Sequence, residues 1–186
     1  MAGIPVVGCG VLASALCMDK DRAHRLVQAA GIAVPHSVAL TRDFDREALP
    51  ARCAELGYPL FVKPGRAGSS YGVSKVRQAA DLQKAIREAF QYDEQVLVEQ
   101  SISGFEVGCA VIGNRTLRTG AVDEIELAGC SFFDFTEKYS LSTARIHVPA
   151  RIPEEIAAEI QETAKKIYRI LGCSGFARVD LFLTEE

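Results

Sequence analysis

Lys63 is the residue best placed to do chemistry. It ends the apolar run Leu60-Phe61-Val62 and opens into the loop PGRAGSSYG, residues 64–72. A strand that ends in one ammonium and then releases a flexible polar loop is a way to hold polyphosphate. Gly65, Gly68 and Gly72 let backbone amides approach an anion closely, and Ser69 and Ser70 add hydroxyl donors. The loop is not a Walker A motif, because the lysine precedes the glycines and no GK[ST] follows. The competing reading is an ordinary surface turn with a solvated lysine.

Four more segments carry chemistry of uneven specificity. In SALCMDKDRAHRL, residues 14–26, Lys20 falls in the first turn of a helix; taken alone it is a surface lysine. In VLVEQSISGFEVG, residues 96–108, a strand ends at Glu99 and another begins at Glu106. Such a crossing offers backbone amides and carbonyls to a flat heterocycle, and Glu106 suits two ribose hydroxyls. A plain inter-strand link explains it equally well. FFDFTEKYS, residues 132–140, reads either as a hairpin whose aromatics pack on the core or as a water-excluding lid. In GFARVDLF, residues 175–182, alternation puts Arg178 and Asp180 on one face, opposite Val179 and Leu181. They form an intrastrand ion pair and nothing more, or Asp180 holds Mg²⁺ while Arg178 stabilises an oxyanion. Asp180 alone does not complete a magnesium site.

The elements that must position these residues follow an α+β pattern. Asp19 caps a helix running to about Ala30, with Gly31 as its stop. A strand follows near Ser37–Leu40, and a short helix starts at Pro50 and ends at Gly57. Residues 81–92 read as a helix with Leu82, Ile86, Ala89 and Phe90 on one face. Val96–Val98 is a strand, and Glu106–Ile112 and Thr116–Glu126 form a hairpin turned near Gly113-Asn114. The longest helix runs Pro153–Leu171, stopped by Gly172, and Phe176–Leu183 is the last strand. The chain has 186 residues, is 48% hydrophobic and carries a net charge of −3, a globular composition without a basic field for nucleic acid. The apolar stretch Ile4–Met18 is too short and too Gly-rich to span a membrane. The six cysteines form no CxxC pair and read as small buried hydrophobes in a reducing cytosol. Ile4-Pro5-Val6-Val7 reads as core, and both ends look cut from something longer.

In order, spacing and type, these segments resemble the D-alanine–D-alanine ligases of the ATP-grasp superfamily, from GIPVVGCGVLASALCMDK to GFARVDLFL. The resemblance implies an ATP-grasp fold. Residues 1–100 would be the central ATP-binding subdomain with a linker, and residues 101–186 the first, incomplete part of the C-terminal subdomain. It also implies roles. Lys20 contacts ATP, Lys63 binds nucleotide phosphate, and Ser69 helps close the site over substrate. Glu99, Gln100, Ser101 and Ile102 hold adenine, and Glu106 meets the ribose. Lys138 reaches the γ-phosphate and Tyr139 the serine loop. Arg178 stabilises the reacting carboxyl group, and Asp180 is the first ligand of Mg²⁺ (or Mn²⁺).

The implied reaction phosphorylates the carboxylate of one D-alanine, and the amine of a second D-amino acid then attacks the acyl phosphate, yielding a dipeptide for peptidoglycan. The family's N-terminal domain, with a glutamate for the first D-alanine, and its later metal ligands lie outside these 186 residues. The isolated chain is therefore expected to bind ATP weakly and not to turn over. The GCGVLASALCMDKDRAH opening and the FFDFTEKYS loop also look similar to the D-alanine–D-serine ligases of vancomycin resistance. A hydrophobic pocket rejects an added hydroxyl by only roughly a hundredfold, so the second substrate stays open between alanine and serine. Two rivals are a non-catalytic nucleotide-binding module and another ATP-grasp carboxylate–amine ligase. The cysteine usage points to a cytoplasmic protein, and the resemblance further implies a homodimer at full length and apolar surface exposed around Ile4–Leu12.

Overall fold

The computed structural model describes residues 3–127 and 144–184. It opens with two short helices, α1 (Val11–Met18) and α2 (Lys20–Ala29), joined at Asp19. Asp19 is buried, and its carboxylate accepts from the Arg22 amide at 3.1 Å, satisfying an orphan donor at the start of α2. Gly31, at φ +81°, stops α2 in the left-handed region.

The first sheet contains β1 (Ser37–Thr41), β2 (Leu60–Pro64), β3 (Ser74–Val76) and β4 (Gln95–Gln100) in the order β1-β4-β2-β3, all antiparallel. Helices α3 (Leu49–Leu56) and α4 (Ala79–Ala89) pack on it. Period-2 alternation sends Leu60 and Val62 of β2 and Val96 and Val98 of β4 into a core with Leu82, Ile86 and Ala89. The same alternation turns Phe61, Lys63 and Glu99 to the opposite face, with Phe61 directly across from Glu99.

The second sheet contains β5 (Phe105–Ile112), β6 (Arg118–Leu127), β7 (Ala144–His147) and β8 (Phe176–Leu183) in the order β7-β6-β5-β8, again antiparallel. Helix α5 (Glu154–Ile170) lays Ile160, Ala164 and Tyr168, spaced at i, i+4 and i+8, against Val107, Cys109, Val111 and Val122. Glu106, Gly108, Asp123, Arg178 and Asp180 occupy the other face, since directly paired residues share a side of the sheet. Tyr168 is fully buried, and its hydroxyl donates to the Gly113 carbonyl in the β5–β6 turn at 2.8 Å. Tyr168→Phe is expected to cost about 1 kcal/mol, read as a lower urea midpoint with an unchanged slope.

The expected helices and strands are present, with ends displaced by a few residues; the 81–92 helix, for instance, spans Ala79–Ala89. Three elements carry no periodic signature. α1 buries only Ala13, so its sequence shows no apolar stripe. β3 is three residues long, and β7 exists only by pairing with β6. Two expectations are corrected. Ile4, Val6 and Val7 are not core but 75%, 81% and 80% exposed, consistent with apolar surface around Ile4–Leu12. The cysteines are not uniformly buried: Cys53 and Cys109 are, whereas Cys17 is exposed. Among the described residues, no helix is long and apolar enough to cross a membrane.

Candidate functional site

Each sheet has one helix-covered face, and the polar residues left on the other face of each meet at a cleft of about 530 Å³. Phe61, Lys75 and Glu99 line it from the first sheet, and Glu106, Ile125 and Phe182 from the second. The connection through Gln100, Ser101 and Ile102 forms its back wall. That connection is pinned, because the Gln100 amide donates to His36 O at 3.0 Å and the Ser101 amide to Pro59 O at 3.3 Å. These two amides are therefore spent on the protein, and a heterocycle would meet the other backbone groups of the crossing.

Lys63, next to last in β2 and beside the cleft, forms an ion pair with Glu99 at 2.5 Å; the side chains are 17% and 9% exposed. Glu99 Oε2 is buried 3.7 Å from His24 Nδ1, and neither atom has a hydrogen-bond partner among the described groups. Burial holds the His24 pKa below its ordinary value. Lys75 lies over the Phe61 ring at 5.3 Å from its centroid, a cation lining the cleft that no sequence motif marked.

Lys20 turns toward the glycine-rich loop. Its ammonium donates to the carbonyls of Pro64 and Gly65, both at 3.3 Å, and of Ala67 at 2.6 Å, so it braces the loop from the α2 side. Burial, and then the nearby Lys63 ammonium, push its pKa down to about 8. Between about 8 and the ordinary 10.5, native Lys20 has lost its proton while the unfolded chain keeps it. Stability then rises with pH across that window. Lys20→Met is expected to remove this increment, which shows as a flatter curve of urea midpoint against pH than in the parent.

The loop itself is held at both ends. The Arg66 amide and guanidinium bind the Asp93 carboxylate at 2.7 to 3.2 Å, and Gly72, at φ +72°, lies where a Cβ would strike the Tyr92 ring. Ser69 and Ser70 both adopt left-handed backbone, at φ 50° and 55°. This costs on the order of 1 kcal/mol each.

On the open face of the second sheet, Arg178 lies across Gly108. Its Nη2 contacts Asp123 Oδ1 at 2.9 Å and its Nε contacts Asp180 Oδ1 at 3.0 Å. Gly108 is the register partner of both aspartates, and a Cβ there would run into the guanidinium. The expected intrastrand pair thus exists, but within a triad whose Asp123 and Gly108 went unread. The only sequence signal was a glycine inside the apolar strand EVGCAVI, the mark of a close approach. At the cleft's flank, Arg151 clamps the buried Glu124 and holds its carboxyl below the usual range. Lys138 and Tyr139 lie outside the described residues. Among the described residues, no group of three His, Cys, Asp or Glu is arranged to hold a metal.

Comparison with known proteins supplies the family. Residues 26–186 match the family model described as D-ala D-ala ligase C-terminus. The chain is 50% identical, over an alignment of 190 residues, to the vancomycin B-type resistance protein VanB of Enterococcus faecalis, covering 100% of this chain and 54% of the relative. It is also 50% identical over 188 residues to D-alanine–D-alanine ligase A of Chromobacterium violaceum, covering 100% and 51%. Among solved structures, the VanG D-Ala:D-Ser ligase from Enterococcus faecalis superposes with a TM-score of 0.89 at 57% identity, over 99% of this chain and 53% of that one. The chain thus spans about half the length of the relatives it matches. Its two antiparallel sheets with helices are the ATP-grasp arrangement of these ligases, and the chain belongs to the D-Ala–D-Ala ligase C-terminal family.

Proposed function

We propose that this chain is the nucleotide-binding and carboxylate-activating part of an ATP-dependent D-alanine–D-alanine ligase of peptidoglycan synthesis. The observation that carries the reading is the cleft between the sheets, walled by Glu99 through Ile102 and Glu106 and flanked by Lys63. Its volume suits a nucleoside, and its walls alternate apolar faces with a few convergent polar groups. Adenine would lie between Phe61 and Ile102, taking hydrogen bonds from the connection beyond Ser101, and Glu106 would accept from the ribose. Lys63 and Lys20 would meet phosphate oxygens, with Lys138 at the γ-phosphate. We take residues 1–100 and 101–186 as the two ATP-grasp subdomains that enclose it.

The chemistry follows from charge. The carboxylate of D-alanine attacks the γ-phosphorus of ATP, and ADP leaves. Two anions must approach, so the lysines lower the barrier by stabilising charge that builds in transit. The amine of a second D-amino acid then attacks the acyl carbon, and phosphate departs. Arg178, its plane fixed by Asp123 and Asp180, would stabilise the tetrahedral oxyanion, while Ser69 and Tyr139 would close the site against water. Asp180 would offer one carboxylate to Mg²⁺ or Mn²⁺. Its Oδ1 is engaged by Arg178, and the described residues present no further ligand set.

D-Alanine is proposed for the first position. D-Serine is the second reading for the nucleophile, favoured by the 57% identity to a D-Ala:D-Ser ligase. A cytoplasmic homodimer is proposed for the whole protein. The test is phosphate release by the full product of the reading frame, with D-alanine alone and with D-alanine and D-serine in competition. ATP- and D-alanine-dependent release with dipeptide formation is expected. Little release with D-alanine but strong release with another carboxylate would sink the assignment, and ATP binding without any release would support a binding-only module.

A further inference from the structure

The chain brings together two thiols that no step of the ligase reading uses. Cys17 lies exposed in the last turn of α1, and Cys173 lies in the turn between α5 and β8. They are 156 positions apart in sequence, yet their sulfurs are in van der Waals contact at 3.8 Å. Local geometry shapes the turn: Gly172, at φ +66°, bends the chain, and the Cys173 amide donates back to Tyr168 O at 3.0 Å. It is also docked on the N-terminal segment. Ser174 Oγ donates to Gly8 O at 3.2 Å, and a Cβ on Gly175 would sit 2.8 Å from Gly8 N. Cys9 lies beside the pair as well. By contrast, Cys53 and Cys109 are fully buried in the two cores.

We propose that Cys17 and Cys173 form a reversible disulfide when the protein meets a small disulfide oxidant. The two sulfurs already touch, so the bond closes over a short distance between groups the fold has brought together. Exposure decides the order of events. Burial, and then the neighbouring thiols, push Cys173 up to about 12, which keeps it protonated at neutral pH. Exchange therefore begins at exposed Cys17, whose thiolate attacks the oxidant and expels one reagent thiol, leaving a mixed disulfide. The Cys173 sulfur, losing its proton, then displaces the second reagent thiol and forms the Cys17–Cys173 bond. Two protein S–H groups are lost and two reagent thiols are formed, so atoms and electrons balance. The bond would tie the end of α1, three residues before Lys20, to the turn that feeds the strand carrying Arg178 and Asp180.

The test is to equilibrate the chain with oxidised glutathione, alkylate the remaining thiols, and map peptides without reduction. The expected result is a Cys17–Cys173 linked peptide, an intact mass lower by about 2 Da, and full reversal by dithiothreitol. Cys17→Ser and Cys173→Ser should each abolish the linked peptide, and Cys9→Ser should keep it. A glutathione adduct that persists on Cys17 while Cys173 is alkylated would overturn the proposal. So would a Cys9–Cys173 linkage in the parent chain, or complete alkylation of both residues.

Discussion

Lys63→Ala will destabilise the chain by roughly 3–5 kcal/mol, because it strands the buried Glu99 carboxylate without its cation. Two features make the loss large. Glu99 is 9% exposed, and its second oxygen already lacks a hydrogen-bond partner among the described groups, so Lys63 is its one short ion pair there. His24 Nδ1 lies 3.7 Å from that oxygen, outside hydrogen-bond distance, and burial works against its taking on the missing positive charge. Adding Glu99→Gln to Lys63→Ala removes the orphaned charge and should restore most of the urea midpoint. It should not restore nucleotide binding, because the ammonium proposed to meet phosphate is still missing. Calorimetric titration with ATP beside urea unfolding separates the two roles. An unchanged midpoint in the single variant, or parental ATP affinity in the double variant, would refute this account of the pair.

Gly108→Ala is expected to leave the fold intact while lowering ligation by about a hundredfold. In a strand interior alanine is normally favoured over glycine by roughly 0.5–1 kcal/mol, so stability should hold or rise. The added methyl, however, occupies the place where the Arg178 guanidinium spans Asp123 and Asp180. A flexible arginine moves aside at little cost to the fold, but it then no longer faces the carboxyl group it is proposed to stabilise. Gly120→Ala is the control, since a Cβ there meets nothing closer than the Ala110 methyl at 3.6 Å. Ligation is read on the full product of the reading frame and stability by thermal melting. Unimpaired turnover in Gly108→Ala would show that Arg178 has no such part.

Which faces are polar was legible from the chain alone, because facing is local. Alternation in LFVKP and FARVDLF separates Lys63 from Leu60 and Val62, and Arg178 from Val179 and Leu181, before any contact is known. Asp19 and Gly31 mark the limits of α2 through hydrogen bonds and backbone angles that span a few residues. The segments resembling a ligase could likewise be read in order, and the ATP-grasp fold of the relatives agrees with them. Local patterns do not say what a polar side chain meets. Lys63 takes Glu99, 36 residues on; Lys20 reaches Ala67, 47 on; and Asp123 takes Arg178, 55 on. Each pairing depends on strand register and on how the sheets and helices pack, and a shift of one residue in register would turn each strand's polar side chains to the helix-covered face. The same holds for Cys17 and Cys173, alike in type to the core cysteines and distinguished only by where α1 docks. The sequence by itself determined which way Lys63, Arg178 and Asp180 face relative to the two cores. Only the tertiary structure decided which of them hold one another, because those partners are joined by the packing of distant elements.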